Sequence, residues 1–189
     1  MANQGRSAGT STTARKLGSL LSWIKTNSDV GSGGADPATI GVSTRTDGTQ
    51  RTFTETLLKT VVAEVFTSGG SPKILMVGAA GKQKVSSFAG IAAQRYMAPG
   101  NTPTTIIGAA DVYMSDFGTM SVVPNRFMRA RDALILDPEY AALAYLRPFQ
   151  TNDLAKTGDS ENTQLLAEVT LEVKNEAAHG IIADLDMSL

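Results

Sequence analysis

The sequence predicts an α+β fold, in which amphipathic helices pack on short buried strands. Apolar residues recur at helical spacing after Thr52, an apolar run at residues 73–77 follows a Gly-Gly pair, and residues 165–174 alternate strictly between apolar and polar. The chain has 189 residues, of which 42% are hydrophobic and 19% charged. This composition is typical of a soluble globular protein with a sizeable core.

Composition excludes several classes of function. The formal net charge is -1, so the basic excess of a dedicated nucleic-acid binder is missing. Without cysteine the chain has no disulfide, no thiolate catalyst and no cysteine-ligated zinc. No apolar run approaches the ~20 residues that span a bilayer, and the start of the chain does not resemble a secretory signal. We therefore expect no membrane association and no cofactor.

The first 51 residues predict an arm, a helix and a long loop. Residues 1–12 are small and polar, as in a flexible arm or a cut end. A helix is predicted after Thr12 and Thr13 and through Lys25, because Leu17, Leu20, Leu21 and Ile24 have helical spacing. Residues 27–51 are rich in Gly, Ser, Thr and Asp, which predicts a loop of about 25 residues that could reach a neighbouring subunit.

The middle of the chain predicts a helix–strand–helix unit over residues 52–93. Thr52 and Glu55 have the spacing of a capping box, and Gly69 with Gly70 supplies a left-handed stop. The predicted apolar stripe of the first helix comprises Leu57, Leu58, Val61, Val62 and Val65. A buried strand is expected at residues 73–77, and the second helix is expected to begin near Gly81, with Val85, Phe88, Ala89 and Ala92 on one face.

The remainder predicts strands and turns. A polar connection at 101–104 precedes a β-hairpin over 106–123, whose turn is Ser115–Gly118. Residues 165–174 predict a strand with one buried and one solvated face. The other predicted segments are a strand at 132–136, an extended stretch at 141–149, a loop at 152–162, a turn at 175–180 and a final strand from Ile181 that could pair back.

A glycine-rich turn is the first candidate for chemistry. Gly78 to Lys82 follows a predicted strand and precedes a predicted helix, as a phosphate-binding loop does. However, two residues separate the glycines instead of four, and Gln83 stands where such a loop has Ser or Thr. A tight strand-to-helix turn is favoured, and a small nucleotide-dependent enzyme remains the alternative.

Other polar residues offer no catalytic constellation. His179 is the single histidine, and the spacing of nearby carboxylates matches no known site. Glu168 and Glu172 share the solvated face of a strand with Thr170 and Lys174, which favours a surface role. We predict no catalytic and no metal-binding residue.

Three arginines form a small basic cluster. Arg126, Arg129 and Arg131 are interleaved with Phe127 and Met128. Such a cluster can contact phosphates or form intersubunit ion pairs, for which arginine is well suited. The neutral total charge favours subunit contacts or plain surface.

Several phrases occur in a particular order along the chain. They are Thr12–Gly18, Leu21–Asn27, Arg45–Arg51, Ser115–Gly118, Val123–Arg126, Tyr145–Phe149, Lys156–Asp159 and Glu172–Glu176. This ordered set resembles tailed-phage major capsid proteins of the Hong Kong 97-type fold, and the resemblance covers about nine-tenths of the chain.

The resemblance implies a division into domains. Residues 52–140 match the axial-type domain, whose loops meet around the five-fold and quasi-six-fold axes. Residues 1–51 match an N-terminal remnant of the peripheral domain, and residues 141–189 match return strands to its sheet. Asp116, Phe117 and Gly118, at the hairpin tip, are then expected at subunit contacts near the axes, and the three arginines are further contact candidates.

The resemblance also implies a function. We expect a structural subunit that assembles with its own copies into pentamers and hexamers of an icosahedral head shell, made in the host cytoplasm and located in the virion. Packaged DNA would lie nearby without sequence-specific binding. Relatives carry an N-terminal arm, an extended loop and most of a spine helix before the part that this chain matches. A shell protein of a non-viral compartment with the same fold is the closest alternative.

Overall fold

The computed structural model describes residues 2–88, 111–156 and 158–188. Within them the α-helices are α1 (Leu20–Trp23), α2 (Glu55–Thr67) and α3 (Ala79–Ser86), and a 3₁₀ turn spans Glu176–Ala178. The strands are β1 (Asn27–Asp29), β2 (Arg51–Thr52), β3 (Ile74–Val77), β4 (Val112–Ser115), β5 (Gly118–Pro124), β6 (Ala133–Leu136), β7 (Ala141–Asp153), β8 (Thr163–Val173), β9 (Gly180–Ile182) and β10 (Leu185–Asp186). The predicted α+β class is confirmed.

A mixed six-stranded sheet organises the fold in the order β1-β9-β6-β3-β5-β4. The central strand β3 pairs parallel with β5 and antiparallel with β6. The predicted strands at 73–77 and 132–136 are confirmed. The strand predicted from Ile181 is β9, which pairs inside this sheet with β6 and β1. All four residues of β6 are buried, because both faces of the sheet are covered there.

Helix α2 follows the predicted stripe but begins later than expected. The N-cap is Thr54, whose side chain accepts a hydrogen bond from the Leu57 N–H, so the predicted capping box at Thr52 and Glu55 is wrong. The buried stripe comprises Leu58, Val61, Val62 and Val65. Gly69 adopts φ 86 after the helix, a left-handed conformation that glycine takes without steric cost.

Two apolar clusters cover opposite faces of the sheet. The larger one joins α2 and Val85 of α3 to the sheet residues that point towards them, including Leu75 and Ile135. The smaller one packs Leu21 and Ile24 on the other face, against Leu134, Leu136, Ile181, Ala183 and Met128. Successive residues of β6 therefore belong to different clusters, as the two-residue period of a strand requires.

The predicted N-terminal helix is mostly absent from the structure. Only Leu20–Trp23 is helical, whereas Ser7 and Lys16 form an antiparallel bridge. Leu17 is 46% exposed while Leu21 is buried, so the leucines do not share one covered face. A Cβ on Gly18 would lie 2.8 Å from the Gly41 carbonyl oxygen, which means that the backbone packs closely there. The segment at residues 1–12, predicted as a flexible arm or a cut end, is bound to the rest of the chain, since the Arg6 N–H donates to Gly41 O at 2.9 Å.

The segments around the hairpin follow the prediction in part. Helix α3 begins at Ala79, slightly before the expected start. Strands β4 and β5 pair antiparallel with Tyr113 opposite Met120, which confirms the hairpin over its described part. The predictions for Ala89, Ala92, the connection at 101–104 and the hairpin start at 106–110 lie outside the described residues.

Strands β7 and β8 form a separate antiparallel ribbon. The stretch predicted as extended at 141–149 is a strand that continues to Asp153, and the predicted strand at 165–174 is confirmed. Its predicted burial is wrong, because Leu165 is 65% exposed and Val169 is 43% exposed. A sequence pattern reveals which residues share a face, but coverage of that face needs a partner element, which the described chain does not supply.

Candidate assembly surfaces

The hairpin tip is the first candidate surface. Asp116, Phe117 and Gly118 lie at the turn between β4 and β5, and all three are exposed. The turn is ordered by its own polar groups, since the Ser115 hydroxyl donates to Gly118 O at 2.9 Å and accepts from the Phe117 N–H at 3.3 Å. Gly118 has φ 137, which a residue with a side chain rarely adopts.

Two contacts fasten this hairpin to α2. The ring of Phe117 lies 4.8 Å from that of Phe66, centroid to centroid, with the planes tilted by 32°. The Tyr113 hydroxyl donates to the Glu55 carboxylate at 3.2 Å. Burial and the negative charge of Glu55 raise the pKa of Tyr113 to about 12, so the phenol keeps its proton. The tip is thus exposed but held in place.

The arginine cluster divides between surface and interior. Arg126 is exposed, and Phe127 beside it is 75% exposed. Arg129 instead binds Asp47 at 2.5 Å, and Arg131 binds Asp184 at 2.7 Å. The structure therefore brings Arg129 and Arg131 together around the 30–50 loop of their own chain, and leaves Arg126 apart from them.

The carboxyl groups around these arginines have different environments at the rim and in the interior. The ionised carboxylate is favoured at the rim, whereas burial opposes it in the interior. The hydrogen bond from Arg129 lowers the pKa of Asp47. Asp132 is 1% exposed, and burial raises the pKa of its carboxyl group although Arg129, Arg45 and Arg131 oppose the shift. One carboxylate oxygen of Asp132 has no hydrogen-bond partner among the described residues. These groups join the 30–50 loop to the core, and burial of the charged Asp132 carboxylate costs free energy.

Asp184 is the centre of this network, and the sequence analysis assigned it no role. Its side chain is 1% exposed and its φ is 58. It accepts hydrogen bonds from the N–H groups of Gly31 at 3.1 Å and Gly48 at 2.8 Å, besides the bond from Arg131. An Asp outside a helix or strand can adopt a left-handed conformation, but the sequence does not reveal which distant backbone groups it will meet.

Arg45 holds the long loop on its own chain. The guanidinium donates to Leu21 O at 3.0 Å and Ile24 O at 2.5 Å, and it pairs with Asp36 at 2.7 Å. The side chain is 2% exposed, and burial lowers the pKa of Arg45 against the opposing effect of Asp36. The loop predicted to reach a neighbour is therefore folded back, with Ala35 and Thr46 in an antiparallel bridge. In the sequence, the signal for Arg45 was its place in the phrase Arg45–Arg51, one of those that resemble capsid proteins.

The two remaining candidates for chemistry have structural roles. Gly78 is the N-cap of α3, and the Lys82 amine donates to Asp111 at 2.9 Å and to Val122 O at 2.8 Å, as a tight strand-to-helix turn allows. His179 is fully buried, and its Nδ1 accepts from the Asp137 N–H at 3.2 Å. Burial lowers the pKa of His179, so the imidazole is neutral. Among the described residues no group of three His, Asp or Glu side chains could hold a metal ion.

The β7–β8 ribbon is a further candidate surface. Its exposed apolar residues are Leu143, Tyr145, Leu146, Phe149, Leu165 and Val169. Exposed apolar surface of this extent is typical of interaction sites. In the part of the chain that the structure describes, no helix is long and apolar enough to cross a membrane. An α+β protein with an exposed apolar ribbon of this kind belongs to the class of proteins that associate with other chains.

The comparison with protein families identifies which class of subunit this is. The model of the SU10 major capsid protein family matches residues 1–186, so the chain belongs to that family. It is a structural subunit of a phage capsid, and its location is the virion. The resemblance to phage major capsid proteins is confirmed. No significant match was found among the curated proteins.

Proposed function

We propose that copies of this chain assemble, through a Hong Kong 97-type fold, into the pentamers and hexamers of an icosahedral shell. Residues 52–140 are the axial-type part, and residues 1–51 and 141–189 belong to the peripheral-type part. Membership of a capsid family supports association between copies of the chain. Closed rings arise when one surface of a subunit repeatedly meets a different surface of the next.

The hairpin tip is the observation that carries the axial assignment. A turn at a crowded symmetry axis must be narrow, exposed and held in one position. Asp116 to Gly118 meets these conditions, because the Phe66–Phe117 contact and the Tyr113–Glu55 hydrogen bond fasten the hairpin along α2. Arg126 and Phe127, exposed on the turn after β5, are the remaining candidates for contact with a neighbour.

Packaged DNA is proposed to face the N-terminal segment. Residues 2–28 contain Arg6, Arg15, Lys16 and Lys25 but no Asp or Glu. Arg6, Arg15 and Lys16 are exposed, and none of them forms an ion pair within the described residues. Exposed cations that form no ion pair favour phosphate contact without base recognition.

The acidic group Glu168 lies near Arg15 of this segment. Arg147 lowers the pKa of Glu168 by a hydrogen bond, and Arg15 makes a smaller contribution. Because the guanidinium of Arg147 already pairs with Glu168, the positive charge of Arg15 is only partly offset. The expected DNA contact is therefore weak and depends on the many copies in a shell.

The mass of the purified chain in solution tests the proposed assembly. Size-exclusion chromatography with light scattering, followed by electron microscopy of the same fractions, should reveal pentamers, hexamers or closed shells. Monomers at every concentration would overturn the proposal that this chain is the assembling unit. Particles with helical or open symmetry would overturn the icosahedral geometry while leaving self-assembly in place.

A further inference from the structure

The dipeptide Asp47-Gly48 lies where the 30–50 loop meets the network around Asp184. It is the single Asp-Gly pair of the sequence, which contains no Asn-Gly pair. An Asp followed by Gly is especially prone to cyclisation, because glycine has no side chain to hinder the approach of its nitrogen to the preceding carboxyl carbon. The Asp47 side chain is 41% exposed, so water reaches it. This dipeptide is therefore the candidate for a backbone modification.

The packing around Gly48 explains why a labile pair stands at this position. A Cβ on Gly48 would lie 2.4 Å from the Gly34 nitrogen and 2.8 Å from the Gly31 carbonyl oxygen. Both are backbone atoms, which cannot move aside as the end of a flexible side chain can. A bulkier residue that would slow cyclisation is thus excluded, and protection has to come from the groups around the pair.

Neighbouring side chains hold three groups of the pair. Arg129 binds the Asp47 carboxylate at 2.5 Å, and Arg131 lies 3.4 Å from the same oxygen. The Gly48 N–H donates to Asp184 at 2.8 Å, and the Gly48 carbonyl accepts from Arg131 at 2.6 Å. The carboxyl carbon and the nitrogen that would have to form a bond are therefore held by different partners.

The charge of the Asp47 carboxyl group adds to this protection. A nitrogen attacks a protonated carboxyl group more readily than a carboxylate, because the neutral group can lose its hydroxyl as water. The hydrogen bond from Arg129 lowers the pKa of Asp47, so the less reactive carboxylate persists to lower pH than in an unfolded chain. Geometry and charge act in the same direction.

We propose that Asp47 is a site of isoaspartate formation, which the folded chain blocks and which reacts when the 30–50 loop detaches from Arg129, Arg131 and Asp184. The Gly48 nitrogen then attacks Cγ of Asp47. A C–N bond forms, the carboxyl hydroxyl and the amide hydrogen leave as water, and a succinimide ring results. Water opens the ring at the backbone carbonyl of Asp47, which becomes a free carboxylate while Gly48 stays bonded to Cγ. The reaction needs no oxidant or reductant, and the inference is independent of the proposed assembly.

The product does not fit the native site. An isoaspartyl linkage adds one carbon to the backbone path between residues 47 and 48. Gly48 already packs so closely on Gly31 and Gly34 that even a Cβ has no room. A modified loop therefore cannot return to its place, and the modification records that the loop was once open.

Incubation of the unsubstituted chain at one pH and temperature, folded in buffer and unfolded in guanidinium chloride, tests the proposal. Peptide mapping with electron-transfer fragmentation distinguishes isoaspartate from aspartate at residue 47. We expect isoaspartate to form at least about tenfold more slowly in the folded chain, which corresponds to an opening free energy of about 1.4 kcal/mol or more. Equal rates in the two states would overturn the protection, and an unfolded chain without isoaspartate at residue 47 would overturn the site.

Substitutions test whether the network supplies the protection. In the folded state, Arg129→Gln should form isoaspartate at least about threefold faster than the unsubstituted chain, as expected for the loss of one hydrogen bond. Arg126→Gln makes the same change in charge at an exposed residue, and Phe66→Ala lowers stability at the hairpin, so neither should accelerate the reaction. Equal acceleration in Arg129→Gln and Phe66→Ala would assign the reaction to global unfolding and overturn the local protection. Should circular dichroism show that Arg129→Gln is unfolded, Asp184→Asn is measured against the same criterion.

Discussion

The Asp184 carboxylate accepts a hydrogen bond from Arg131 at 2.7 Å, across 53 positions of the chain. The same carboxylate binds the N–H groups of Gly31 and Gly48. One side chain therefore joins the turn between β9 and β10, the 30–50 loop and the segment after β5. This junction fixes the long loop without a helix or strand of its own.

Replacement of Asp184 should be among the more destabilising changes in the chain. Asp184→Ala removes every one of these hydrogen bonds, leaves Arg131 without its buried partner and puts alanine at φ 58, so we expect a loss of about 3–5 kcal/mol. Asp184→Asn keeps one acceptor oxygen and tolerates the left-handed backbone, so about 1–2 kcal/mol is expected. Urea unfolding at constant m-value measures both. Equal losses for Ala and Asn would contradict this expectation, because the acceptor oxygen kept by Asn would then contribute little.

Arg45 should not tolerate lysine. Its guanidinium donates to two carbonyl groups and pairs with Asp36 while almost fully buried, and an ammonium group cannot reproduce that fork. We expect Arg45→Lys to lower the free energy of unfolding by about 2–3 kcal/mol. Arg126→Lys is the matched control, since its exposed side chain should change stability by less than about 0.5 kcal/mol. Similar effects of the two replacements would argue against the clamp.

Asp47 should make stability depend on pH in the acid range. The pKa of its carboxyl group is lowered from 3.8 by the hydrogen bond from Arg129, so the ionised form stabilises the fold above pH 3.8, and that contribution is lost as the pH falls through the lower folded-state pKa. Because the side chain is 41% exposed, solvent screening limits the effect of Asp47→Asn at neutral pH to about 0.5–1 kcal/mol. Unfolding midpoints of both proteins should converge below that pKa. A difference that persists there would have another cause.

The hairpin tip can be separated from the fold by two matched variants. Phe66→Ala and Phe117→Ala remove the same aromatic contact, so each should cost about 1 kcal/mol of stability. If the tip meets neighbours at an axis, only Phe117→Ala should also reduce the yield of rings or shells in light scattering. Parallel losses of assembly in both variants would assign the effect to folding.

The proposed DNA-facing segment predicts a change in salt dependence. Replacing Arg6, Arg15 and Lys16 together by Gln should reduce the slope of log affinity against log salt by about 2.7, if each contacts one phosphate. Fluorescence anisotropy of a labelled duplex with open pentamers or hexamers, in which both surfaces are accessible, measures this slope. Replacing Lys59, Lys73 and Lys156 by Gln makes the same change in net charge at cations that already form ion pairs. Equal slopes for the two triple variants would contradict the assignment.

Local signals in the sequence predicted much of the central fold. The stripe of α2, the stop at Gly69 and the apolar run of β3 depend on neighbouring residues, and their elements are where the pattern placed them. The helix predicted between Thr13 and Lys25 is mostly absent, because helical spacing of leucines is only a local preference. Contacts of Gly18 and Arg6 with Gly41, distant in sequence, favour an extended path instead.

By itself, the sequence determined the α+β class, the hairpin, the amphipathic pattern of β8 and, through its phrases, the capsid resemblance. Only the tertiary structure decided that Arg129 and Arg131 bind carboxylates of their own chain, that Asp184 joins three segments and that the apolar residues of the β7–β8 ribbon are exposed. The physical reason is the distance along the chain over which each kind of interaction acts. Periodicity and turn chemistry act over a few residues, whereas ion pairs and burial depend on groups that are brought together only when the whole chain folds.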